Sequence, residues 1–438
     1  MHIVIIGNGI SGITTARHIR KNSDAEITVI SAETDYFFSR TALMYIYMGD
    51  MKLEHTQPYE KSFWKKNRIN LLRKYVEKVN TENKELYFSD GEKLAFDKLV
   101  IASGSKPNKF GWKGQDLEGV GGMYSFQDLE NIEKHSKGLQ RAVIVGGGLI
   151  GIELAEMFHS RHIPVTFLVR EKSFWGSVLP KGESDMVSRE IFNNGIDLRL
   201  DEELQEILAD ENGKARAVIT SKGEEIACQF VGLTAGVSPN ISFLEGSNIE
   251  TQRGIMINDF LETNIKDIYA LGDCAQFHNP PKDRRPIEQV WYTGRMQGET
   301  LAQTICGNPT KYAPRLWFNS AKFFDIEYQT YGTVLPQNPE GQKSLYWEHH
   351  DGKKCIHIVY EAATKAVKGF NVFGTRFRHE LCEEWILAEK TIEFVSENLK
   401  KANFDPEFFR TYEQEIVDLY NQQNPNNQVI LKKKKWLI

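Results

Sequence analysis

The chain is poor in cysteine, lacks long apolar runs and carries no excess of positive charge. Its five cysteines (Cys228, Cys274, Cys306, Cys355 and Cys382) are scattered through 438 residues. No two form a C-x-x-C or a wider local pair, so their spacing offers neither a disulfide framework nor a redox dithiol. An odd, scattered set in a reducing compartment reads as packed small apolar thiols. No apolar run approaches the ~20 residues of a membrane span. A net charge of −5 gives no global attraction for nucleic acid or for a membrane surface. A first strand at His2 leaves no room for a signal peptide. The expectation is a cytoplasmic protein, with an organelle or a processed form as the alternative. Apolar and charged fractions of 41% and 26% are those of an ordinary globular protein, and the length suffices for two or three domains.

Two glycine fingerprints stand against these absences. Residues 3–12 read Ile-Val-Ile-Ile-Gly-Asn-Gly-Ile-Ser-Gly and residues 142–151 read Ala-Val-Ile-Val-Gly-Gly-Gly-Leu-Ile-Gly. Each follows a β-branched run and opens a helix, the context in which G-x-G-x-x-G means dinucleotide binding. Gly7 makes the tight turn, Gly9 lets the backbone approach a pyrophosphate, and Gly12 lets helix pack on strand. Gly146, Gly148 and Gly151 repeat the device. The phosphates sit at the helix N-terminus, where free N–H groups and the dipole favour negative charge. Two such strings in one chain point to two dinucleotides meeting face to face.

The first βαβ unit is Ile3–Ile6, a helix over about Gly12–Lys21, and Ile27–Ile30; the second is Ala142–Val145, a helix over about Gly151–Ser160, and Val165–Val169. Strands alternating with helices predict parallel sheets covered on both faces. The second unit is inserted in the first. We expect a first domain of residues 1–110 and 237–312, an inserted domain of 111–236, and a C-terminal α+β domain of 313–438. In that last part Ser344–Glu348, Lys354–Tyr360 and Ala366–Phe373 read as antiparallel strands. Leu381, Trp385, Ala388, Ile392, Val395 and Leu399 step by four and three, which predicts one apolar helix face on a sheet. His349-His350 reads as surface, and no Ser-His-Asp or metal-ligand set is found.

These residues resemble the pyridine nucleotide–disulfide oxidoreductase superfamily. Within it the chain is most similar to the single-flavin branch: ferredoxin and rubredoxin reductases, nitrite reductase flavin domains, NADH oxidases and apoptosis-inducing factor. The likeness covers roughly residues 1–330 and implies a glutathione-reductase-like fold, with two Rossmann-like dinucleotide-binding domains, one inserted in the other. It implies FAD at Gly7, Gly9, Ser11 and Gly12. It implies NADPH or NADH at Gly146, Gly148, Leu149, Ile150 and Gly151, with Glu153 near the nicotinamide. Ala102-Ser103-Gly104 resembles the segment at the flavin domain hinge, and Gly236 lies in the crossover Ala235–Asn240. Gly272-Asp273 resembles the motif whose aspartate touches the flavin chain. Thr293-Gly294-Arg295 with Gly298-Glu299 resembles the helix after it, and Trp317-Phe318-Asn319-Ser320 the aromatic segment near the flavin ring. Arg40 resembles the arginine that pairs with the FAD pyrophosphate, a task suited to its forked donors. Glu33 is the expected ribose acid, with Ser31 as its alternative. Tyr45 stands where that branch has a lysine. Trp291 and Trp317 read as walls of the flavin pocket or as core.

At the end of the second strand of the inserted unit, Val169 replaces the acid of an NADH site and Arg170 follows it. An arginine there can hold a 2′-phosphate; adjacent Glu171 can serve the ribose of NADH. The reading leans to NADPH. Residues 36–50 hold no cysteine, so the resemblance implies an NAD(P)H oxidoreductase that does not act on disulfides. Its acceptor is a small redox protein such as ferredoxin or rubredoxin, or a small acceptor such as oxygen or a quinone. A redox-sensitive nucleotide-binding protein whose oligomerisation follows flavin reduction is the non-catalytic alternative, and a homodimer is compatible with either. Lys61, Lys65, Lys66, Arg68, Arg73 and Lys74 form a candidate patch for an acidic partner. The tail Lys432–Lys435 with Trp436, Leu437 and Ile438 reads as a frayed end rather than a membrane contact.

Overall fold

The computed structural model describes residues 1–408 and 410–432. The first sheet has five parallel strands in the spatial order Ile268–Ala270, Lys98–Ile101, His2–Ile6, Glu26–Ser31 and Ile69–Arg73. Ile3, Val4 and Ile5 are fully buried, because a parallel strand covered on both faces has no side to give to water. The first fingerprint helix runs Ile10–Asn22. It lies along helix Trp291–Ile305 so closely that a Cβ at Gly298 would stand 2.8 Å from the Ser11 carbonyl oxygen.

A second five-stranded parallel sheet is ordered Asp197–Leu200, Val165–Val169, Ala142–Val145, Phe230–Leu233 and Val120–Gly121. Helix Leu149–Ser160 follows its first glycine turn. All of this sheet falls, in sequence, between two neighbouring strands of the first sheet. The chain crosses between the two sheets twice, and the crossing strands Ser105–Pro107 and Val237–Pro239 pair antiparallel.

The third sheet is antiparallel: Phe318–Phe323, Ile326–Gly332, Val367–Phe373, Cys355–Glu361 and Gln342–Glu348. One face carries Phe323, Ile326, Tyr328 and Phe373 into a shared core with Phe158, Phe167 and Phe174 of the second sheet's layer. The other face packs helices on Ile358, Phe370 and Val372.

Here one expectation is corrected. The apolar stripe is not one helix but two, His379–Leu387 and Ile392–Asn398. Glu389 adopts a left-handed φ of 48°, and Thr391 caps the second helix by accepting from the Phe394 N–H. The reason is tertiary. Val367 N–H donates to the Lys390 carbonyl and Ile392 N–H to the Lys365 carbonyl, both at 2.9 Å, bonds that a continuous helix would forbid. Ala388, part of the predicted stripe, is exposed. A second correction concerns His349, which is tucked in, its ring 2.9 Å from Asp351 and against Tyr412; only His350 is exposed.

Among the described residues no helix is long and apolar enough to cross a membrane. Residues 433–438 of the lysine tail lie outside the described residues; Lys432 pairs with Glu397 at 2.5 Å. Four of the five cysteines are buried and Cys306 is partly so, all of them free thiols.

Candidate functional site

A cavity of about 670 Å³ opens at the C-terminal ends of the first sheet's strands, the usual ligand crevice of a parallel sheet. The first glycine turn forms its floor. Gly7 has φ +111°, and a Cβ there would meet the Ala102 carbonyl oxygen at 2.1 Å. At Gly9, by contrast, a Cβ would meet nothing within 4 Å. Gly9 is the N-cap of helix Ile10–Asn22, which has no side-chain cap and no acid in its first turn. Its leading N–H groups are therefore left to an anion. An open cradle, uncapped donors and a cavity of this size fit the phosphates of FAD.

Of the predicted residues, Gly7, Gly9, Ser11, Glu33, Arg40, Ala102, Ser103, Gly104, Ile150, Glu153, Asp273 and Trp291 line this cavity. Gly12 lies beneath the turn, where a Cβ would stand 2.0 Å from the Gly7 carbonyl oxygen. Gly272 is buried with its N–H donated to Gln297 Oε1 at 2.7 Å. Glu33 and Arg40, read separately from the sequence, are partners: Arg40 Nη1 and Nη2 donate to the two Glu33 oxygens at 2.8 and 2.6 Å. The Phe126 N–H donates to Glu33 Oε1 at 2.7 Å. Ser31 lines the cavity too, its Oγ accepting from the Glu33 N–H at 3.1 Å.

Asp273 accepts from Tyr124 OH at 3.2 Å and Ser105 Oγ at 3.4 Å, and burial pushes its carboxyl up from the ordinary value. Gln289 Nε2 donates to Ser105 Oγ at 2.8 Å. Sequence reasoning missed Tyr124, Ser105 and Gln289. Only the capping box of Ser125 and Asp128 was a local signal near any of them. Trp317 is corrected: it does not line the cavity. Its ring is covered by the Arg284 guanidinium at 5.2 Å, which is fixed in turn by a buried pair with Glu288 at 2.5 Å.

A second cavity of about 530 Å³ opens at the second glycine turn. Gly146, Gly148, Arg170 and Gly236 line it, together with Trp112, Trp175 and Glu202, which the sequence did not single out. Gly148 repeats Gly9: an uncapped helix start with open space where a Cβ would be. Leu149 is the first helical residue, and Gly151 packs on its own turn, 2.5 Å from the Gly146 carbonyl oxygen in Cβ terms. Val169 is buried against Gly147. Arg170 is 71% exposed and 3.0 Å from Glu171 at the rim.

The two cavities share one helix. Leu149–Ser160 starts at the second cradle, and its Ile150 and Glu153 reach the first cavity. The Glu153 carboxyl is pushed up to about 7 by burial first and by the nearby Glu156 charge second. No cysteine lines either cavity. The candidate basic patch is partly neutralised: Arg68 pairs with Asp24 at 2.6 Å, Arg73 with Asp35 at 3.5 Å, and Lys74 with Asp90 and Glu92 at 2.6 and 2.7 Å.

Residues 1–298 match the family described as pyridine nucleotide-disulphide oxidoreductase. The chain is 26% identical over 412 residues to the assimilatory nitrate reductase electron transfer subunit of Bacillus subtilis, covering 92% of this chain and 51% of that protein. It thus spans about half the length of that relative. It is 30% identical over 323 residues to rubredoxin-NAD(+) reductase of Acinetobacter baylyi, covering 71% of this chain and 80% of that one. The water-forming NADH oxidase of Lactobacillus brevis, solved bound to NADH, superposes with a TM-score of 0.81 at 19% identity, covering 97% and 98%; at that identity the likeness is one of fold. By motif, architecture and match, the chain belongs to the pyridine nucleotide–disulphide oxidoreductase family.

Proposed function

We propose that the chain is a FAD-dependent NAD(P)H oxidoreductase: FAD in the first cavity, the reduced nicotinamide dinucleotide in the second, and electrons passed on to a small redox protein of the rubredoxin or ferredoxin type. The observation that carries this is the shared helix, whose start cradles one dinucleotide while Ile150 and Glu153 form a wall of the other's cavity. When bound, FAD accepts a hydride and releases electrons singly or in pairs, which lets a two-electron donor serve a one-electron carrier.

The chain's own residues bind and orient. The uncapped starts at Gly9 and Gly148 hold phosphates. Arg40 brings positive charge to the first cavity, where Glu33 has lone pairs left for a ribose hydroxyl beyond those given to Arg40 and the Phe126 N–H. Asp273, with its donors Tyr124 and Ser105, fixes one wall. Glu153 holds a proton near neutral pH and so keeps a second negative charge out of the wall beside Glu156. In this reading residues 1–110 and 237–312 seat FAD, 111–236 seat the nicotinamide nucleotide, and 313–438 brace the second unit. Arg170 at the rim supports NADPH over NADH.

The test is anaerobic reduction followed by re-oxidation with rubredoxin, ferredoxin, a quinone, oxygen and a disulfide in turn. Fast re-oxidation by a carrier protein is expected. Turnover with the disulfide alone contradicts the proposal, and fast re-oxidation by oxygen or quinone alone assigns a small acceptor instead.

A further inference from the structure

The loop that walls the second cavity is held from outside it. Residues 170–179 bring Arg170, Glu171, Trp175 and Ser177 to that cavity. Trp175 sits in the left-handed region at φ 51°, a conformation that a bulky residue keeps only where its surroundings enforce it. The enforcing contact comes from another sheet. The Trp175 ring lies 5.8 Å from that of Phe323 and edge-on to Tyr328 at 6.0 Å, both on the antiparallel sheet.

Behind that contact stands a buried polar network that neither dinucleotide cradle uses. Glu183, in the first turn of helix Lys181–Asn193, is fully buried. Its Oε1 lies 2.8 Å from His357 Nδ1 and accepts from Asn371 Nδ2 at 3.2 Å. An ionised carboxylate only accepts, so Nδ1 carries the proton. His357 and Asn371 face each other on neighbouring strands. Asn371 Oδ1 accepts in turn from Tyr328 OH at 3.3 Å. Ser184, next to Glu183, donates its hydroxyl to the Phe174 carbonyl at 2.6 Å. The network thus reaches the loop twice, through Ser184 to Phe174 and through Tyr328 to the Trp175 ring. It comes at a cost, because the second Glu183 oxygen and His357 Nε2 are buried without a partner among the described residues. Apolar side chains of the same volume would often join helix to sheet as firmly. What directional bonds add is a single arrangement.

We propose that Glu183 and His357 are positioning residues for the nicotinamide nucleotide: they fasten the antiparallel sheet to the helix and so hold Trp175 and its loop in the shape that binds the dinucleotide. This rests on the second cavity being the nicotinamide nucleotide site. Neither residue is among those lining that cavity, so both act through Tyr328 and Trp175. The loop follows the second strand of its sheet, where the ribose hydroxyls of a dinucleotide lie, away from the ring that gives the hydride. The network therefore sets affinity and leaves the transfer step alone.

The experiment uses the FAD-loaded full chain. Calorimetric titration with NAD(+) and with NADP(+) gives Kd without turnover. Anaerobic rapid mixing with the reduced forms gives the rate of flavin reduction at saturation. His357→Leu removes the donor, His357→Asn keeps an N–H donor near the place of Nδ1, and Tyr328→Phe keeps the ring on Trp175 but removes the hydroxyl. His357→Leu is expected to weaken the better-bound nucleotide about tenfold while the saturated rate stays within about twofold of the wild type. His357→Asn should bind within about threefold of the wild type, and Tyr328→Phe should lose about threefold or more. A folded His357→Leu with the wild-type Kd overturns the inference. So does an equal loss in both His357 variants, or a saturated rate that falls as far as the affinity. If His357→Leu does not fold, Tyr328→Phe decides, and its binding as tightly as the wild type overturns the inference. A wild type that binds neither nucleotide refutes the reading of the cavity, and this inference with it.

Discussion

Lys322 Nζ, on the outermost strand of the antiparallel sheet, stands 2.7 Å from Glu156 Oε1 on the helix that joins the two cavities. Glu156 is 8% exposed, Lys322 37%, and the other Glu156 oxygen has no partner among the described residues. The C-terminal sheet thus holds the charge that adds to the effect of burial in raising Glu153. Removing one partner of such a pair leaves the other charge uncompensated. Lys322→Met should destabilise the protein by roughly 1–3 kcal/mol, the lower end reflecting the partly exposed lysine. Thermal melts at neutral pH check this; an unchanged Tm contradicts the pairing.

Glu153 predicts a pH-dependent stability. Its folded-state value of about 7 lies above the ordinary 4.5. Below both values folded and unfolded chains carry the proton alike. Between them only the unfolded chain ionises, so the residue disfavours the fold increasingly as pH rises and by a constant amount above about 7. Glu153→Gln should therefore be more stable than the wild type at pH ~8, by up to ~3 kcal/mol, with the difference gone by pH ~4. Urea unfolding across that range measures it. A constant difference at all pH values contradicts the assignment.

The glycines of the first fingerprint should separate folding from binding. A Cβ at Gly12 collides with the Gly7 carbonyl oxygen at 2.0 Å, whereas one at Gly9 meets only open cavity. Gly12→Val is expected to abolish folding. Gly9→Val should melt within about 1 kcal/mol of the wild type while losing FAD affinity at least about tenfold. Retained flavin in a folded Gly9→Val contradicts the cradle.

Arg170 should set the choice of nucleotide. Its guanidinium is 71% exposed and, among the described residues, paired only with Glu171, so it is available to a 2′-phosphate. Arg170→Ala should lower kcat/KM for NADPH by about tenfold, ~1.4 kcal/mol, and leave NADH nearly unchanged. Equal losses for both nucleotides contradict the role.

The parallel-sheet units were legible because their signals are local. Ala142–Val145 and Val165–Val169 have in the structure the bounds that the sequence predicts, since β-branched runs ending in glycine need no distant partner to be recognised. What escaped was set at long range. Glu33 and Phe126 lie 93 residues apart, so no spacing rule links them. Trp317 looked like a pocket wall because aromatics suit one, but a buried Arg284 claimed its face. The helix break at Glu389 depends on Lys365 and Val367, at the start of a strand, bonding to Ile392 and Lys390, which periodicity does not report. Glu183 carries no motif at all; its meaning comes from partners 174 and 188 residues away.

The central claim is that one helix couples two dinucleotide sites. The most direct measurement is anaerobic rapid mixing of the FAD-loaded protein with NADPH or NADH, following the loss of flavin absorbance, in the wild type and in Gly148→Val. The wild type should bleach rapidly and completely, while Gly148→Val should stay yellow and folded but bleach only slowly. A wild-type protein that binds no FAD, or a Gly148→Val that bleaches as fast as the wild type, would contradict it.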